Sequence, residues 1–250
     1  MPLRPPLRPT RRDAIRLAGL ALVGGLSPVA ATHAQSADKL KIGTIGAGRE
    51  GGALGTLFAK AGHPVMFSSR HPDDLKDLVT AAGPTAKAGT VKDAVDFADV
   101  VLLVVPYTAV KGIGEEFGPA LAKKSLVMDV SNPIARRDGD EIVKWVKDHG
   151  GAGLATASLL PGAHLVRGFN AIGSVKLDEL AHRQGEPIGV PIAGDDKGAI
   201  DLASKLIKEV GFEPVLVGGL AMGKYLVPGT PLGGIHTAAE IRQIVATLKA

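Results

Sequence analysis

From Lys39 onward, short apolar runs of four to six residues alternate with stretches whose apolar positions recur at helical spacing. Leu40–Ile45 reads as a first strand. Ala53–Ala61 reads as a helix halted by Gly62, and Pro64–Phe67 as a second strand. Asp73–Ala82 predicts a helix, with Pro72 at a permissive early position; Ala86–Gly89 a third strand; and Val91–Ala98 a short helix. Val100–Val105 is apolar without interruption, the signature of a parallel strand covered on both faces. A helical region over Tyr107–Ala122, broken by Gly112, Gly114 and Gly118, leads to a strand at Leu126–Val130. Later strands are expected at Leu165–Phe169, Gly189–Ala193 and Pro214–Val217, with helices at Ala199–Val210 and Ala238–Lys249. Strand and helix alternating through short connections imply right-handed crossovers. The fold class is therefore α/β, a doubly wound parallel sheet.

The first 34 residues follow a different rule. The twin arginines Arg11-Arg12 precede an apolar run, Leu17 to Leu26, and small residues around Thr32-His33-Ala34. Basic, apolar, then small is the order of a secretory signal, and the paired arginines are similar to a twin-arginine export signal. Residues 1–34 are expected to be a signal peptide cleaved after Ala34, with Ala31 the alternative, so that the mature protein is periplasmic or secreted and meets the twin-arginine export machinery. The apolar run is too short for a membrane span of about 20 residues.

Charge separates the same two regions. Five arginines against Asp13 alone account for the whole net charge of +4, leaving residues 35–250 neutral, so nucleic acid is not an expected partner. Aromatic residues at 4% also leave little for base stacking. The absence of cysteine removes disulfides, thiolate metal sites and thiol catalysis. No histidine pair has ligand spacing and no metal is expected; His164 and His236 read as surface or packing residues. Asp195-Asp196 reads as a helix cap.

Gly46-Ala47-Gly48-Arg49-Glu50-Gly51 fits G-x-G-x-x-G between a strand and a helix, the context in which that pattern holds a dinucleotide pyrophosphate. Its first glycine serves the turn, the second close approach of the phosphates, and the third helix–strand packing. The end of strand two offers Ser68-Ser69-Arg70-His71 where an acid would select the unphosphorylated ribose. Hydroxyls and a guanidinium suit a 2′-phosphate, so NADP(H) is favoured over NAD(H); the competing reading of this string is an exposed turn with a helix cap.

The string Ile45-Gly46-Ala47-Gly48 through Gly51-Gly52-Ala53-Leu54-Gly55, Ala61-Gly62-His63 and Ser68 to Pro72 resembles the deazaflavin-coenzyme (F-420) dependent NADP oxidoreductase family. Val105-Pro106-Tyr107, Asp129 to Pro133, Gly168-Phe169-Asn170, Gly194-Asp195-Asp196 and Pro228 to Pro231 extend the resemblance. It implies a Rossmann NADP-binding domain, taken as 35–172, and a small C-terminal α/β extension, 173–250, for substrate or dimerisation. It also implies hydride exchange at a nicotinamide, a deazaflavin or flavin as second substrate, and a homodimer. Carried over by position, Gly46, Ala47, Gly48, Arg49, Glu50 and Gly51 surround the pyrophosphate. Ser68, Ser69, Arg70 and His71 surround the 2′-phosphate. Val105, Pro106, Tyr107 and Asn132 line the cofactor, and Asn170 and Ile172 lie at the nicotinamide–deazaflavin contact.

Glu50 departs from the family pattern, which has a small or apolar residue there. An acid beside a pyrophosphate is expected to point to solvent or to pair with Arg49. Tyr107 and Lys111 have the Y-x-x-x-K spacing of another dehydrogenase class but lack that class's glycine loop, so Tyr107 is expected to start a helix over the cleft. The rival to an enzyme is a non-catalytic nucleotide-binding or partner-binding protein on the same scaffold; a ferric or quinone reductase relay is a third reading.

Overall fold

The computed structural model describes residues 39–248. The expected signal peptide lies outside them. The chain forms β1 (Ile42–Ile45), α1 (Arg49–Lys60), β2 (Val65–Ser68), α2 (Lys76–Ala82), β3 (Ala86–Gly89), α3 (Val91–Phe97) and β4 (Val100–Leu103). After a 3-10 turn at Tyr107–Ala109 follow α4 (Val110–Leu121), β5 (Leu126–Asp129), α5 (Ala135–Asp138), α6 (Asp140–Asp148), α7 (Ala152–Leu159) and β6 (Leu165–Arg167). The C-terminal part contributes α8 (Ser174–Leu180), β7 (Ile188–Gly194), α9 (Lys197–Glu209), β8 (Glu213–Gly218), β9 (His236–Thr237) and α10 (Ala238–Val245).

Eight strands run in the order β3-β2-β1-β4-β5-β6-β7-β8, and β9 pairs with β7. Alternate residues of the central strands serve opposite faces. Val100 and Leu102 join Leu54, Phe58, Leu206 and Ile207 on one side. Val101 and Leu103 join Val95, Val110, Leu121 and Ala155 on the other. Two covered faces explain why β4 is apolar at every position. Each such side chain contributes roughly 1.5–3 kcal/mol on burial.

The sheet is mostly parallel, as expected of a doubly wound fold, but β7 runs antiparallel to β6, Val166 opposite Gly194, and antiparallel to β9. The chain beyond Gly173 thus extends the same sheet, β7 and β8 pairing in parallel with an irregularity at Ile192/Ala193. Helices α5 to α8 were not anticipated. The reason is plainest for α7, whose segment Ala152–Leu159 is mostly small and apolar and has no amphipathic period. The last helix ends at Val245, earlier than the Ala238–Lys249 pattern suggested, and it begins with the capping box of Thr237 and Glu240.

The sheet's order reverses at β1, which pairs with β2 on one side and β4 on the other. Chains leaving the carboxyl ends of β1 and β4 diverge there to opposite faces, and the crevice between them is where open α/β sheets receive ligands.

Candidate functional site

The glycine loop leaves β1 into that crevice, and its three glycines do three separate things. Gly46 takes φ +95°, and a Cβ on it would run into the Val104 carbonyl oxygen. Gly51, in the first turn of α1, would drive a Cβ into the carbonyl oxygen of Gly46. Gly48 meets nothing within 4 Å and has an ordinary φ of −69°. Two glycines therefore close the turn on itself. The middle one keeps open space beside the N-terminus of α1, where no side chain caps the first amides. Free amides and the positive end of the helix dipole receive an anion, and an open approach suits a pyrophosphate.

A cavity of about 570 Å³ starts at Gly48 and Glu50, passes Val105 and Pro106 after β4, and reaches Asn132, Asn170 and Ile172. The structure thus brings together residues from four separate stretches of the expected site, Arg49 and Gly51 among them. Ser69, Arg70 and His71 lie at the carboxyl end of β2, outside this cavity. Arg70 and His71 are exposed, and the Ser69 hydroxyl accepts the His71 N–H at 3.0 Å, leaving its own proton to donate. Ser68 is turned inward, 1% exposed, and its Oγ accepts the Gly46 N–H at 3.4 Å. Together with the Ala47 N–H donating to the Ser68 carbonyl at 3.1 Å, this ties the glycine loop to β2.

Tyr107 starts the 3-10 turn after Pro106, but its side chain leaves the cleft. The ring is buried, and the hydroxyl bonds Thr156 Oγ1 at 3.0 Å and the Ala152 carbonyl at 3.3 Å on α7. Burial pushes its pKa up to about 12, against the opposing Thr156 bond. Lys111 is exposed and 3.8 Å from Glu115, so the Y-x-x-x-K pair is not assembled.

Glu50 contradicts both expectations for it. It is half-buried, makes no ion pair with Arg49, and lines the cavity with its Oε1 buried and without a partner. Burial pushes its pKa up to about 7, the Ser174 backbone N–H opposing. That N–H comes from the start of α8, across the cleft from the glycine loop.

The floor of the cleft is a polar network that pattern alone did not reveal. Arg167, at the end of β6, is fully buried against the equally buried Asp129 at the end of β5, Nη1 to Oδ2 at 2.5 Å. The same guanidinium donates to the Ser131 carbonyl and to Asn132 Oδ1, each at 3.0 Å. Asn132 Nδ2 then donates to the Asn170 carbonyl at 2.8 Å, and Asn170 Nδ2 to the Asp129 carbonyl at 3.1 Å. From above, Arg137 on α5 holds the Asn132 carbonyl at 2.6 Å while pairing with Asp138. Asn170, 5% exposed, is left with an unpartnered Oδ1. The turn that places it is strained: Phe169 takes φ +59°, which sends its ring edge-on to Phe212 at 5.5 Å. A lone arginine in the otherwise apolar Leu165–Phe169 run is the signal for this network that the sequence carried, because an arginine is almost never fully buried unless paired.

His164 pairs with Asp196 at 3.0 Å, and Asp196 caps α9 through the Ala199 N–H at 2.7 Å. Neither His164 nor His236 lines the cavity. Among the described residues, no group of three or more His, Cys, Asp or Glu is placed to hold a metal ion.

Comparison with known proteins agrees with this geometry. Residues 41–133 match the family described as NADP oxidoreductase coenzyme F420-dependent. Of solved structures, a hypothetical protein of Sinorhizobium meliloti, SMa0349, superposes with TM-score 0.64 at 27% identity over 81% of this chain and 97% of its own. A protein of Arthrobacter sp. FB24, provisionally named an F420-dependent NADP reductase, gives 0.58 at 18% identity over 74% and 87%. A glycerol-3-phosphate dehydrogenase [NAD(P)+] of Azorhizobium caulinodans is 26% identical over 80% of this chain. The chain spans 62–63% of the length of the curated dehydrogenases it matches. Glycine loop, switch-point cleft and sequence match converge on one segment: residues 41–133 are similar to the coenzyme F420-dependent NADP oxidoreductase family.

Proposed function

We propose that the protein is an exported oxidoreductase that binds NADP(H) and exchanges a hydride with a flat, flavin-like or deazaflavin acceptor. The observation that carries this reading is Gly48: the one loop glycine without a packing duty opens onto a 570 Å³ cleft at a helix N-terminus. The chain's own residues fit the cofactor. The α1 amides and Arg49 would receive the pyrophosphate, and Ser69 with Arg70 the 2′-phosphate. The buried, unpartnered Asn170 Oδ1 would accept from an N–H donor at the inner end of the cleft. NADP(H) bound there supplies a hydride donor or acceptor. The protein then has to position rings and exclude water, which the network under Asn132 and Asn170 serves by fixing the floor.

Export with cofactor already loaded follows from the twin-arginine reading of residues 1–34, and a homodimer from the family resemblance. The decisive experiment is mass spectrometry of nucleotide released by denaturing protein purified from its native compartment, with fluorescence titration of the emptied protein by NADPH. Recovery of NADP(H), or micromolar rebinding, is the expected result. A protein that arrives empty and does not bind NADPH would reduce the cleft to scaffold.

A further inference from the structure

Resting on the NADP(H) reading above, we propose that Glu50 is the acid of this cleft: it holds the proton that accompanies the hydride, so the acceptor is one that takes up hydride and proton together. Three observations place it. Glu50 lines the same cavity as Asn170 and Ile172, and its carboxyl group, held by the Ser174 N–H, connects α1 to the start of α8. Its Oε1 is buried with no partner, which leaves one oxygen to carry or deliver a proton. The buried Asn170 carries a second unpartnered oxygen in the same cleft, so two polar atoms await a ligand.

The surrounding charges do not neutralise it. α8 and α2 pack against α1. Of their charged groups, Lys176 is paired with Glu179, Asp178 with Lys60, and Lys76 with Asp73, while Asp77 is exposed. Across the cleft, Arg137 is engaged by Asp138, and Arg136, like Arg49 on α1 itself, is exposed. No cation forms an ion pair with Glu50 among the described contacts. Desolvation therefore governs it and raises its pKa to about 7, so that protonated and ionised forms are both populated near neutral pH.

The chemistry balances as follows. A hydride, with its electron pair, leaves the dihydronicotinamide and bonds to the electrophilic atom of a C=O, C=N or flavin-like ring. The acceptor's π pair moves to its heteroatom and takes the Glu50 proton. Glu50 is left as carboxylate facing a nicotinamide that has become cationic, and it regains a proton from solvent at the open mouth. NADPH, acceptor and one proton become NADP⁺ and reduced acceptor.

The reciprocal consequence is measurable without knowing the acceptor: Glu50 must bind its proton more tightly beside NADPH than beside NADP⁺. The Kd values of both nucleotides are measured by calorimetry from pH 6 to 8.5, in two buffers of different ionisation enthalpy, on the full protein and on Glu50→Gln. The wild type is expected to shift the NADPH-to-NADP⁺ Kd ratio roughly tenfold toward NADP⁺ as pH rises, the ratio that one pH unit of difference in titration gives. It should also take up a proton fraction on binding NADPH. The glutamine variant should show neither, and Glu50→Asp should restore part. An unchanged shift in Glu50→Gln overturns the assignment. So does a wild type whose ratio is flat and whose binding is buffer-independent, a result that needs no variant to fold. A wild type that binds neither nucleotide at any pH instead overturns the NADP(H) reading itself.

Discussion

The glycine loop makes a crossed prediction in which stability and binding separate. In Gly51→Ala, the added methyl falls well inside the 3.0 Å that real Cβ contacts respect, against the Gly46 carbonyl oxygen, and it also lies 3.3 Å from Val104 Cβ. The obstacle is backbone at a tight turn, so it has little room to yield. Overpacking of this kind costs about 3 kcal/mol, the upper part of the usual range. Alanine's better helix propensity returns about 1 kcal/mol, leaving a net loss of about 2 kcal/mol. For a body of this size, that lowers Tm by about 4–8 °C.

In Gly48→Ala the methyl meets nothing and φ is already permitted, so stability should move by no more than about 1 kcal/mol, from alanine's poorer N-capping. The same methyl stands where the pyrophosphate would approach the α1 amides. Losing one charge-assisted hydrogen bond of about 1.5–3 kcal/mol weakens NADPH by about 10- to 150-fold. Thermal melts without ligand and NADPH fluorescence titrations on both variants decide the matter. Equal Tm losses, or a Gly48→Ala protein that titrates like wild type, would refute the division of labour.

Further outcomes follow from the surrounding residues. Asp129→Asn strands the fully buried Arg167 and should cost about 3–5 kcal/mol in urea unfolding, with part recovered when Arg167→Met is added; a loss below about 1 kcal/mol would show the pair to be energetically idle. Arg70→Ala should weaken NADPH by about 10- to 150-fold and leave NADH nearly unchanged, and equal losses in parallel titrations would remove the 2′-phosphate assignment. Asp138 is held below the usual carboxylate range: burial opposes this, but Arg137 and the Ile134 N–H outweigh it. A depressed folded pKa gives stability that is present above the unfolded value of 3.8 and lost as pH falls through the folded one. Asp138→Asn should therefore flatten acid unfolding in that range, as read by circular dichroism, and an unaltered acid limb would contradict it.

How far the sequence reached depends on which physics is local. The unbroken apolar run of β4, the order of strand and helix from β1 to β5, and the glycine loop at its strand–helix junction were legible. Each rests on side-chain period or on a backbone conformation set within a few residues. The inward turn of Ser68 and the burial of Tyr107 against α7 were not, because both depend on what lies opposite across tens of residues. Of the four helices between β5 and β7, Ala152–Leu159 escaped because it is mostly small and apolar and carries no amphipathic period.

The carboxylate of Glu50 shows the division most clearly. From sequence it was an acid in a phosphate loop, to be excused by solvent or by Arg49. In the fold it is half-buried between α1 and the start of α8, with burial raising its pKa to about 7. In the same way, Arg167, Asp129, Asn132 and Asn170 become one network only because β5 and β6 end side by side. Sequence by itself determined the elements from β1 to β5, their parallel sense and the dinucleotide loop. Tertiary structure decided which polar groups lose water and whom they meet, since desolvation and pairing are properties of neighbours in space.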